Sequence, residues 1–91
     1  MQLLNSANSD GEQHDYFGHA QSSSLQVFGT WDGCTVTIKG SMNDGVTFSA
    51  CSNSDFFEDT ITSFEMSVGK VKAFISNAGG ATSINCFLSP G

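Results

Sequence analysis

The sequence predicts an all-β domain: a small antiparallel β-sandwich or partly open barrel carrying a polar N-terminal arm. Three observations lead there. The chain is rich in Gly (10), Phe (8), Ser and Thr, with a single Pro and few of the good helix formers Ala and Leu. That mixture suits pleated, half-buried strands joined by turns. Apolar residues recur with period two, the signature of a strand with one buried face. Turn-forming clusters separate these runs at spacings of roughly 8–12 residues, and no stretch of helical length shows a 3.6-residue period.

The elements follow in order. Residues 1–24 read as a polar arm, because Asn5–Gly11 and Gln21–Ser24 offer little apolar surface to bury. Tyr16-Phe17-Gly18 within the arm is a candidate short edge strand. Residues 25–91 form the β-sandwich domain. Leu25, Val27 and Trp31 share one parity, with Gly29 between them. Cys34, Val36 and Ile38 then face one way while Thr35, Thr37 and Lys39 face the other. Asn43-Asp44-Gly45 tolerates the positive φ angles of a tight turn. Val46, Phe48 and Ala50 resume the alternation, so Gly33–Ser41 and Gly45–Cys51 are expected to form a hairpin.

Ser52–Thr60 reads as a loop. Phe64, Met66 and Val68 begin another strand, and Gly69-Lys70 reads as a turn. Val71, Ala73 and Ile75 form a core-facing row, opposite Lys72, Phe74 and Ser76. Asn77–Ala81 is a second turn cluster. Ile84, Cys86 and Leu88 face inward on the last strand, which Pro90 ends.

Charge excludes some functions. The 91-residue chain carries three Lys, no Arg and nine carboxylates, a formal net charge of −6. Phosphate neutralisation needs basic groups, so neither nucleic acid nor an anionic membrane surface is an expected partner. A basic protein surface fits better. No apolar run approaches a membrane span, and the first residues lack the basic and apolar regions of a secretory signal. Cys34, Cys51 and Cys86 are odd in number and lack CxxC spacing, so they read as small buried hydrophobes of a cytosolic product.

Catalytic signatures are lacking. His14 and His19 have opposite parity on an extended strand, which is poor geometry for a metal. No Gly-x-Ser-x-Gly elbow occurs, and a Cys51–His14 pairing has no supporting signature. Gly79-Gly80 lacks the Lys and following helix of a phosphate loop. Asp55-Phe56-Phe57-Glu58-Asp59 does not follow a calcium-loop pattern. Its aromatics, fenced by carboxylates, suit either a contact loop or an acidic surface loop with one Phe tucked back into the core. Phe28, Phe74 and Phe87 point away from the core parity of their strands. They form an interface patch if they cluster, unless bulges flip their parity.

Two segments carry a family likeness. Gly29-Thr30-Trp31-Asp32-Gly33-Cys34-Thr35-Val36-Thr37-Ile38-Lys39-Gly40-Ser41-Met42-Asn43-Asp44-Gly45-Val46-Thr47-Phe48 resembles a stretch of small structural proteins of tailed bacteriophages. Gly69-Lys70-Val71-Lys72-Ala73-Phe74-Ile75-Ser76, followed by Asn77–Asn85, resembles the continuation of that stretch. The likeness spans residues 25–88. Lys72 stands where such proteins usually have Arg, and Cys34 and Cys86 stand where small or β-branched residues are usual.

The resemblance implies a non-enzymatic virion protein, made in the host cytoplasm. It points to a head decoration (cement) protein bound to the major capsid protein or another virion protein, in a homo-oligomer such as a trimer. No catalytic, cofactor-binding or metal-binding residue is expected. The candidate partner contacts are Leu3, Leu4, Tyr16 and Phe17 of the arm, with Phe56 and Phe57 of the acidic loop. The alternative is a tail, adaptor or fibre-associated glycan-binding module, with Trp31 or Tyr16 as a stacking platform.

Overall fold

A computed structural model of the chain describes residues 1–17, 23–64 and 68–89. Among these residues are eight strands: β1 Gln2–Ala7, β2 His14–Phe17, β3 Ser23–Thr30, β4 Thr35–Ser41, β5 Ser49–Phe56, β6 Thr60–Phe64, β7 Val68–Ser76 and β8 Ser83–Ser89. They form two antiparallel four-stranded sheets, ordered β1-β8-β3-β6 and β2-β7-β4-β5. Every connection except β4 to β5 passes from one sheet to the other. This strand order is that of a jelly roll, two Greek keys laid face to face. The predicted all-β sandwich is therefore what the chain adopts, and its sheets do not close into a barrel.

Alternation builds the core as expected. Leu25 and Val27 of β3 and Ile84, Cys86 and Leu88 of β8 face Val36 and Ile38 of β4 and Val71 and Ala73 of β7, all fully buried. Tyr16 sets its ring edge-on to Phe64, with centroids 5.5 Å apart. Its hydroxyl hydrogen-bonds Ser23, a pairing that lets a phenol sit in the core.

Several boundaries differ from the sequence reading. Of the stretch expected to be a polar arm, Gln2–Ala7 and His14–Phe17 are strands of the two sheets. Leu3 and Leu4 are adjacent yet both buried. Register irregularities on either side of Leu4 in the β1–β8 pairing let consecutive side chains turn inward. Tyr16-Phe17 does lie on an edge strand, while Gly18 and His19 lie outside the described residues.

The β4–β5 hairpin exists, but its ladder begins at Gly40 opposite Ser49. The tight turn sits at Asn43–Val46, with Asp44 at φ 61°, Gly45 at φ 82° and a Val46 N–H to Asn43 carbonyl bond of 3.3 Å. Ser41 Oγ holds the turn by accepting from the Asn43 and Gly45 amides. Val46 and Phe48 thus belong to the loop and not to β5.

Of the expected loop Ser52–Thr60, only residues 57–59 form a turn. β5 continues through Phe56, with Asp55 opposite Thr37 and Phe56 opposite Val36. Backbone pairing to β4 here overrides the weak strand propensity of Ser and Asn. Gly69-Lys70 is likewise inside β7, opposite Tyr16 and Asp15. Gly69 has φ 144°, which glycine allows without leaving the ladder. The Asn77–Ala81 turn is where the sequence places it. Met66 and Pro90 lie outside the described residues.

Candidate functional site

Burial sorts the candidate contacts. Leu3, Leu4, Tyr16 and Phe56 are 3%, 2%, 0% and 6% exposed, so all four are core residues and unavailable to a partner. The parity that makes them apolar serves the sandwich itself. Phe17 ends β2 opposite Val68. Phe57 is 67% exposed and is the one residue of the set that stands out into solvent among those whose side chains are described. Tyr16 offers no stacking platform. Trp31 is half-buried against the core, and its indole N–H is taken by Asp59.

The three outward phenylalanines keep their parity but do not form one patch. Phe74 lies on the outer face of the β2-β7-β4-β5 sheet. Lys39 and Lys72, directly opposite each other on β4 and β7, hold their ammonium groups 4.7 Å and 4.9 Å from the centre of its ring. Phe48, carried over by the 42–48 loop, packs edge-on at 5.9 Å. Two lysine stems and a second ring thus shield Phe74.

Phe28 and Phe87 lie on the outer face of the other sheet, stacked with centroids 6.1 Å apart. Phe87 stays 42% exposed. Gln26 of β3 is flanked by Phe87 of β8 and by Ile61 of β6, so these residues run in one row across three strands. Ile61 is 71% exposed. No lysine covers this row among the described residues. Extending the Phe64 parity back along the chain turns Ile61 outward, a signal present in the sequence; its place beside Gln26 and Phe87 is set by register.

The β5–β6 turn adjoins this face. Asp59 Oδ1 accepts from the Gly29 amide at 3.1 Å and from Trp31 Nε1 at 2.8 Å. These bonds, the indole first, lower the pKa of Asp59. The turn is thereby tied to the end of β3, and Phe57 projects from it. One shallow groove is lined by Asp55, Phe57, Glu58 and Thr62, and a second by Gln26, Phe28, Asp59 and Ile61. Thr60 borders both.

The remaining polar chemistry is structural. Lys70 pairs with Asp15 at 2.5 Å and with Asp44 at 3.5 Å, and the Asp15 bond raises its pKa. The cysteines are free thiols. Burial pushes Cys86 up to about 12 and raises Cys34 and Cys51, so these thiols are not activated as nucleophiles. Among the described residues no three of His, Cys, Asp and Glu converge as a metal site would require.

The fold and surface define a class: a small jelly-roll sandwich with shallow grooves, whose exposed apolar residues include Ile61 and Phe87 on one sheet, Phe57 on the β5–β6 turn and Met42 and Val46 on the 42–48 loop. No protein-family model, curated protein or solved structure matches the chain.

Proposed function

We propose that this chain is a non-enzymatic structural protein of a tailed-phage virion, a decoration protein that docks on the capsid surface through the outer face of the β1-β8-β3-β6 sheet. The observation that carries the docking face is the outward Ile61 and Phe87 on either side of Gln26, with Phe28 stacked on Phe87. Apolar anchors with a polar rim are the makings of an interface. The virion assignment draws its support from the likeness of residues 25–88 to phage structural proteins. The net charge of −6 favours a basic partner surface.

The mechanism is mass action. A copy that binds the assembled shell, and not the separated subunits, stabilises the joint by RT ln(1 + [L]/Kd), about 2.7 kcal/mol at a hundredfold excess over Kd. Many copies act in parallel.

Quantitative mass spectrometry of purified particles, split into heads and tails, tests the reading. Many copies per head, with binding to bare heads lost in Phe87→Asp, is the expected result. A few copies travelling with tails would replace decoration by an adaptor role. Absence from both fractions would end the virion reading.

A further inference from the structure

The three lysines all lie on the β2-β7-β4-β5 sheet, and they are used in two ways. Lys70 is paired, as a cation in an acidic chain is expected to be. Its ammonium group meets Asp15 at 2.5 Å and Asp44 at 3.5 Å. Lys39 and Lys72 meet no carboxylate among the described residues. They stand directly opposite each other on β4 and β7, with their ammonium groups 4.7 Å and 4.9 Å from the centre of the Phe74 ring. Lys72 also lies 6.0 Å from the centre of the Phe48 ring. Ring contacts are all that the two ammonium groups make among the described residues, so their N–H donors find no acceptor there.

The acids nearby are already engaged. Register puts Asp15 and Asp55 on this same outer face. Asp15 is held by Lys70, and Asp55 Oδ1 accepts from Thr37 Oγ1 at 2.8 Å. Lys39 and Lys72 are both half-buried, so solvent screens their mutual repulsion less than it would a fully exposed pair. A chain with nine carboxylates thus sets two cations side by side with no described counter-ion for either.

We propose that Lys39 and Lys72 form a binding site for a carboxylate, which bridges the two ammonium groups above the Phe74 ring. Each carboxylate oxygen accepts from one lysine, giving two charge-assisted hydrogen bonds. The bound charge also cancels the repulsion between the cations. Phe74 and Phe48, meeting at 68°, hold the lysine heads in place before the ligand arrives, which lowers the cost of ordering them. A single negative charge fits better than a phosphate or sulfate dianion, because Asp55 stands on the same face beyond Thr37 and the chain carries −6 overall. The site lies on the sheet opposite the proposed capsid-docking face and does not depend on that reading.

Titration of the full chain with sodium acetate, at an ionic strength held constant with sodium chloride, tests the site by NMR of the lysine ε-methylene and Phe74 ring signals. Saturable shifts at Lys39, Lys72 and Phe74 with a millimolar Kd are expected, while Lys70 stays still. Lys39→Gln and Lys72→Gln keep most of the stem and drop the charge. Each should weaken acetate binding by about tenfold or more without lowering the melting temperature. Lys70→Gln should bind acetate as wild type does. Glucuronate and an aspartate-bearing peptide amide, titrated in parallel, separate a sugar-borne from a peptide-borne carboxylate: the tighter ligand names the source, and equal binding means that the carboxylate alone is read. Shifts that rise without saturating, acetate binding unchanged in Lys72→Gln, or phosphate bound more tightly than acetate would each overturn the proposal. Capsid binding by Lys39→Gln should match wild type, so a failure here leaves the virion reading standing.

Discussion

The outer faces of the two sheets both carry phenylalanine, and they treat it differently. On the β2-β7-β4-β5 sheet, Phe74 lies under the stems of Lys39 and Lys72 and against Phe48 from the 42–48 loop. On the β1-β8-β3-β6 sheet, Phe28 and Phe87 stack on each other with no lysine over them, and Ile61 stands in the open. Shielding Phe74 takes two of the chain's three lysines and sets them directly opposite each other, an arrangement that costs repulsion. A chain with so few cations spends them on one face and none on the other. The lesson is that aromatic exposure is regulated face by face. The face left bare is the one to read as an interface.

The largest effect should come from treating a buried aromatic like an exposed one. Tyr16→Ala removes a fully buried ring from the contact with Phe64 and leaves Ser23 without its phenol partner. Urea unfolding should show a loss of about 3–5 kcal/mol, the range for aromatic-to-Ala core changes. Phe57→Ala should stay within about 0.5 kcal/mol of wild type. Equal, small losses would mean that the N-terminal strands are not part of the core.

Phe87→Asp places a carboxylate on the bare face. Its affinity for bare phage heads should fall by at least about 1.4 kcal/mol, a factor of ten, while the urea midpoint hardly moves. Lys72→Asp, on the shielded face, should leave that affinity alone. An identical loss in both variants would erase the distinction between the faces.

Removing the shield is a smaller perturbation. Lys39→Ala with Lys72→Ala uncovers Phe74, and each lost cation–ring contact is worth about 0.5–1 kcal/mol at an exposed site. Relief of the repulsion between the two lysines offsets part of this. The net change in stability should be about 1 kcal/mol or less, with a clear rise in binding of an apolar fluorescent dye. No rise in dye binding would show that Phe48 alone covers Phe74.

The smallest effect concerns the turn at the edge of the bare face. Asp59 has a lowered pKa because it accepts from Trp31 Nε1 and the Gly29 amide. A depressed folded pKa means that this stabilisation is present above the unfolded carboxylate pKa and is lost as pH falls through the folded value. Trp31 fluorescence should therefore titrate below the ordinary carboxylate range, and the transition should vanish in Asp59→Asn. A transition in the ordinary range would mean that the indole bond is not formed.

Much of the fold was legible in the sequence. The inward rows Leu25/Val27, Val36/Ile38, Val71/Ala73 and Ile84/Cys86/Leu88 are strict alternations, and burial follows them. The Asn43-Asp44-Gly45 turn was readable from residues that tolerate positive φ. Errors arose where tertiary pairing overrides local character. Ser52–Thr60 reads as a loop, yet β5 runs on to Phe56 with Asp55 and Phe56 paired to β4, and Gly69-Lys70 reads as a turn yet lies within β7. Leu3 and Leu4 break period two, so their joint burial depends on register irregularities that no alternation encodes.

The site was less legible. Phe57 was identifiable as an aromatic among carboxylates, but Leu3, Leu4, Tyr16 and Phe56 were placed in a contact surface and are core. An apolar residue in a polar setting looks the same whether it anchors a partner or its own sandwich. Only burial tells the two apart.

The sequence by itself determined the class of the fold, the parity of the central strands and the acidic, arginine-free surface. These are properties of local pattern and composition, which a linear text carries. Only the tertiary structure decided that β1 and β2 complete the two sheets, that Lys39 and Lys72 meet over Phe74, and that Ile61, Phe28 and Phe87 share one outer face. Those facts depend on which strands become neighbours and in what register, and in a jelly roll the neighbours are mostly distant along the chain.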